Sequence, residues 1–208
     1  MRSRNTSRVR SLVWAEHRGD VASGIEGNEI LTSATAALIV ALLMAEGVTV
    51  IHMNGLGIVH MFIGMALIPP VLLKLASTGY RFVRYYTRSD TYRAKGPPLL
   101  PLRVMAPVLT VTTIAVLATG VLLLAAGHKD GTLLEIHKVS FIVWLVVFGV
   151  HLLVYLPRVV HSLRADWGAA RRQAVPGAGL RAMLVAASVG GGVALALSLL
   201  SDMNSWHG

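Results

Sequence analysis

The chain of 208 residues contains no cysteine. Disulfides, thiolate-ligated iron–sulfur clusters and thioether attachment of a cofactor through C-x-x-C-H are therefore excluded, and any metal centre must rest on His, Asp or Glu. Charge is scarce as well: Asp, Glu, Lys and Arg make up 14% of the residues against 54% hydrophobic ones. No hydrolase triad, zinc-ligand spacing or phosphate-cradling loop occurs, so the chain offers no constellation for substrate chemistry of its own. The net charge of +9 does not form a basic stripe on a soluble fold, which argues against a nucleic-acid partner. Near the N-terminus the apolar patch Ser11-Leu12-Val13-Trp14 is far too short for the core of a signal peptide.

What is present is a set of apolar runs too long for ordinary core helices, so the partner these runs call for is a lipid bilayer. Five are expected to span, at about 30–51, 56–80, 103–126, 133–156 and 183–200. Residues 1–29 then form an N-terminal segment, with a solvated tail favoured over a weak interfacial helix anchored by Trp14. Residues 158–181 form a basic connector, and 182–208 hold the fifth span and a short tail. Asn54-Gly55 is a turn signal that returns the second span antiparallel to the first. The adjacent Pro69 and Pro70 remove two backbone donors and predict a kink near Met65 to Ile68. The fifth run is rich in Ala, Gly and Ser, including Gly190-Gly191-Gly192, and is suited to close packing on the bundle or on a partner.

The chain repeats itself. Laid over each other without a gap, the segments GIVHMFIGMALIPPVLLK and LEIHKVSFIVWLVVFGVHLLVYLP place His60 on His137 and Lys74 on His151. In the preceding runs Ala45-Glu46-Gly47-Val48 pairs with Ala118-Thr119-Gly120-Val121. The fold class that follows is an all-α membrane protein: a four-helix up-down bundle made of a duplicated helix pair, plus a fifth transmembrane helix. Two imidazoles at matched depth on parallel spans two and four can face each other across a flat macrocycle, with Gly47 and Gly120 leaving room for its edge. Glu46 is an acid inside a span, either functional or interfacial, and His52 comes close to the same level. Lys74 is read as snorkelling toward the nearer headgroups. His151 either makes a hydrogen bond within the bundle or shares with Lys74 a secondary, quinone-sized or proton-linked pocket.

These residues resemble the four-helix bis-histidine transmembrane cytochrome b group. The likeness covers about residues 30–157 and rests on His60, on the H-x13-H pair His137 and His151, and on Gly47 and Gly120. It implies haem b held by His60 and His137, single-electron transfer, and a redox partner protein or subunit, with a quinone as a further partner. The chain departs from a two-haem member at Lys74, where such a member carries histidine, so one haem per chain is expected: an ammonium has no lone pair for iron. Two other readings stay open, a small repeat-built transporter, to which an internal repeat and the intramembrane Glu46 and Lys74 are natural, and a non-catalytic anchor or assembly subunit.

Basic residues set the expected orientation. Five precede span one, six lie between spans two and three when Arg103 at the start of span three is counted, and five between spans four and five, against Lys129 and Lys138 on the opposite side. The positive-inside rule then predicts a prokaryotic cytoplasmic-membrane protein with its N-terminus inside and its C-terminus outside. Single cysteines at Asp90 and Ser201 should label from opposite faces of sealed vesicles. Labelling of both from one face would remove the fifth span.

Overall fold

A backbone inside hydrocarbon must satisfy its own N–H and C=O groups, and a helix does so within one segment. The computed structural model describes the backbone at residues 3–87, 100–127, 131–166 and 175–206, and side chains at 25–87, 104–127, 131–157 and 175–206. Its elements are α1 (Ser3–Ile51), α2 (Met53–Tyr86), α3 (Leu100–Ala126), α4 (Gly131–Asp166), α5 (Ala178–Ser198) and the short α6 (Leu200–Ser205). Five stretches are long and apolar enough to cross a membrane: Ile25–Ile51, Met53–Tyr86, Val104–Ala126, Gly131–Pro157 and Ala178–Ser198. The chain is an all-α integral membrane protein, and among the described residues there is no strand.

The duplicated pairs are two antiparallel hairpins. α1 lies along α2 and α3 along α4, while the hairpins meet each other more sparingly, α2 against α3 and α1 against α4. α2 and α4 share no extended contact and stand on a diagonal of the bundle. In the first hairpin the turn is very short. His52 leaves the helical region (φ −113°, ψ 37°), and the amides of Gly55 and Leu56 both donate to its carbonyl, at 3.1 and 3.0 Å.

One expectation about the helices is corrected: the helix of the first span does not start at Asn28 and Glu29, because α1 runs unbroken from Ser3. No proline interrupts the segment, and Asn28 and Glu29 do not act as a start signal. They are tied sideways to α2 instead, Asn28 Nδ2 donating to the Ser77 carbonyl at 3.2 Å and Glu29 lying 3.6 Å from Arg81. α2 runs on through its prolines without an interruption. Leu56 (φ −119°, ψ 18°) is the residue inside it with non-helical dihedrals, and the backbone stays helical through Pro69 and Pro70.

The reason lies in what covers the prolines. Pro70 cannot donate to the carbonyl four residues before it, that of Ala66, so this oxygen is left without its helical partner. α5 supplies a neighbour there. A Cβ built on Gly192 would lie 2.3 Å from Ala66 O and 3.1 Å from Ala66 C, so a Cα hydrogen of Gly192 points at the freed oxygen and makes a weak C–H···O contact. Pro70 and Met203 are almost completely buried in the same region. Met65, Ala66, Leu124, Ala196 and Met203 form its core, with Phe62, Leu199 and Trp206 against them. α6 closes over this core, and the Trp206 indole donates to the Leu123 carbonyl of α3 at 2.9 Å. Ser188, Gly192 and Ala196 of the fifth span are thus buried within the chain.

Gly192→Ala should lower the thermal stability of the purified protein by the order of an overpacked core, about 1–3 kcal/mol. Gly190→Ala and Gly191→Ala should not, since nothing lies within 4 Å of a Cβ at either position. Equal midpoints for all three variants would show that α5 does not touch α2 at Ala66.

Candidate functional site

The end of α1 presents Glu46 and Thr49, three residues apart and so on one face. α2 returns past them with His60. Its Nδ1 lies 2.9 Å from Glu46 Oε1 and 3.2 Å from Thr49 Oγ1. The Thr49 hydroxyl donates to the Glu46 carbonyl at 2.7 Å, so its lone pairs are what it turns to the imidazole. A carboxylate is likewise an acceptor. Both neighbours therefore call for a proton on Nδ1, and in the neutral imidazole Nε2 of His60 is then the nitrogen with a lone pair.

The second hairpin builds the same arrangement with different chemistry. His137 on α4 has its Nδ1 2.9 Å from Thr119 Oγ1 on α3. Thr119 spends its own hydrogen on the carbonyls of Ala115 at 2.8 Å and Val116 at 3.0 Å, so it too accepts from the ring, and Nε2 again carries the lone pair. The two rings then meet across the diagonal, centroids 6.5 Å apart and planes inclined by 74°. The repeat therefore brings His60 and His137 together, each tethered through Nδ1 to the preceding span.

The glycines are not equivalent. A Cβ on Gly120 would lie 3.3 Å from Cε1 of His137, whereas nothing lies within 4 Å of one on Gly47. Gly120 thus makes room for an imidazole, and Gly47 borders open space. Of the remaining residues, Glu46 joins the pair directly. His52 does not: it is exposed, and its Nδ1 lies 3.1 Å from the Val48 carbonyl of its own helix.

The far end of the hairpins differs from the expected snorkelling lysine. Lys74 Nζ donates across to the Thr32 carbonyl of α1 at 2.9 Å rather than running along its helix to the surface. Ser77 helps hold this residue of α1, receiving the Thr32 hydroxyl at 3.1 Å. His151 stacks on Tyr155, centroids 4.5 Å apart. Lys74 and His151 lie well away from the histidine pair, fourteen positions along each helix.

Thr49, Thr119 and Trp144 escape a reading of the sequence. Threonine in a span ordinarily bonds back to its own helix, and both threonines do so here while serving an imidazole as well. The repeat held the signal for Thr119, since it pairs with Glu46. Trp144 is buried, donates to Thr113 Oγ1 at 2.9 Å and stacks on Phe148 at 4.8 Å, binding α4 to α3 below the site.

Among the described residues no three His, Asp or Glu side chains converge as a metal-ion cage. The pair is a two-nitrogen site. No protein-family model, curated protein or solved structure matched the chain, so the histidine geometry and the repeat are what bear on its function.

Gly120→Val should push the His137 ring from its place, and Gly47→Ala should leave both rings where they are. In protein labelled with ¹⁵N-histidine, the first variant should move the His137 ring resonances and the second neither pair. Unchanged His137 signals in Gly120→Val would mean that α3 and α4 do not approach at this level.

Proposed function

We propose that the chain is a b-type cytochrome that carries single electrons through one haem held by His60 and His137, as the membrane subunit of a larger redox system. The observation that carries this reading is the 6.5 Å separation of the two rings. Two metal–nitrogen bonds of about 2 Å end to end, with half of each ring added, require centroids roughly 6 Å apart. Two protein nitrogens are also the number required, because a porphyrin supplies the other four. The diagonal of the bundle, where the hairpins meet sparingly, is where a flat group would lie, and the open space beside Gly47 favours one of its edges.

Haem, when bound, supplies a one-electron couple whose potential follows its axial ligands and burial. The chain's own contribution is to hold two imidazoles with Nε2 unprotonated, through Glu46, Thr49 and Thr119, and to keep water out. Read with the basic loops inside, the pair lies toward the outer leaflet, where an electron-transfer partner would dock. Lys74 in place of a second inner histidine fits a single haem, and its ammonium is engaged with the Thr32 carbonyl.

An absorption spectrum of the purified protein, oxidised and then reduced with dithionite, should show a low-spin b-type haem at a ratio near one per chain. His60→Ala and His137→Ala should each abolish it or leave a five-coordinate spectrum, while His17→Ala and His207→Ala should not. Intact low-spin haem in both of the first variants would end the pairing, and a ratio near two would end the single site. A protein without haem, and unable to take up added haemin, would favour the repeat-built transporter or the anchor.

A further inference from the structure

The duplication has drifted at one functional position. Its alignment sets Glu46 over Thr119, and these are the two groups that meet an imidazole Nδ1, each at 2.9 Å. Equivalent positions thus do the same geometric work with a carboxylate in one hairpin and a hydroxyl in the other. Both fix the tautomer with the proton on Nδ1. Only the carboxylate also draws that proton toward itself by charge, which makes the opposite nitrogen of the ring a more basic ligand.

The surroundings keep Glu46 in this role. Its side chain is 14% exposed and that of His60 21%, so water competes little for the bond. Thr49 Oγ1 lies 3.2 Å from the second carboxylate oxygen, Oε2, and so lines the carboxylate on that side. Gly64, one turn beyond His60 on α2, leaves space around the first oxygen: a Cβ there would be 3.6 Å from Oε1.

We infer that Glu46 is a positioning residue that makes the two histidines unequal, so that His60 is the stronger electron donor to a metal and His137 the weaker. The inference rests on the haem reading above for its redox consequence. A more basic axial ligand stabilises the more highly charged, oxidised iron and lowers the reduction potential. The carboxylate is a built-in bias toward the reducing side, absent from the second hairpin.

Four variants of the full-length protein test it, read by redox titration of the haem and by ¹⁵N-histidine NMR of the protein without haem. Glu46→Gln keeps an acceptor of the same shape and should retain haem while shifting the midpoint potential upward; Glu46→Thr, which restores the repeat, should shift it the same way. Thr119→Glu should shift it downward. Glu46→Asp should keep the potential nearer to the wild type than Glu46→Gln does, since it conserves the charge and not the length. In the haem-free protein both rings should be Nδ1–H tautomers, and Glu46→Gln should move the His60 resonances and leave those of His137 in place. An unchanged potential in Glu46→Gln and Glu46→Thr with haem retained would overturn the inference and leave the cytochrome reading standing. Wild-type protein that takes up no haem would overturn the cytochrome reading, and unmoved His60 resonances in haem-free Glu46→Gln would overturn the Glu46 contact by itself.

Discussion

An imidazole N–H inside hydrocarbon must be given to an acceptor, and the acceptors within reach are on the next helix. In this chain each of the two central histidines gives its hydrogen to the span just before it, His60 to Glu46 and His137 to Thr119. One requirement thereby fixes three things together: the depth at which each hairpin closes, the rotation of α2 and α4 that turns the rings inward, and the nitrogen left for another partner. Among the described residues no buried side-chain nitrogen or oxygen lacks a hydrogen bond. Asn28 with Ser77, Lys74 with Thr32 and Trp144 with Thr113 are paired between neighbouring spans, whereas the buried hydroxyls of Thr35 and Ser188 donate to carbonyls of their own helices.

Much of this was legible in the order of residues. Apolar length announced the spans, and the gapless superposition of the two halves singled out His60 and His137 before any geometry. What pattern could not carry was direction around a helix. Thr119 was in the alignment, yet a span threonine bonded to its own backbone looks the same whether or not its lone pairs face an imidazole. Lys74 was assigned to the surface because its distance from the membrane edge permits it; the nearer carbonyl of Thr32 belongs to another span, and nothing in the local sequence names it. Gly47 and Gly120 read alike for the same reason, although only one of them meets a ring.

The prolines of α2 show tertiary packing meeting a gap in the local hydrogen bonding. By themselves they free two carbonyls and should bend the helix that carries them. A glycine on α5, more than a hundred residues later in the chain, presents its Cα hydrogen to one of those oxygens, and the helix stays within ordinary dihedrals. The fifth span lies outside the duplication but is matched to the one place where the repeat unit is not self-sufficient. The corresponding helix of the second half, α4, has no proline pair inside the span and no such buttress among its close neighbours.

The uneven packing of the four-helix core also bears on how the molecule is made. Each hairpin closes its histidine bond with groups from two consecutive spans. The seam between hairpins is held by far less. The setting of each imidazole therefore belongs to its own hairpin, whereas the face of α2 at Ala66 is completed by the fifth span, the last of the chain's long helices to be made.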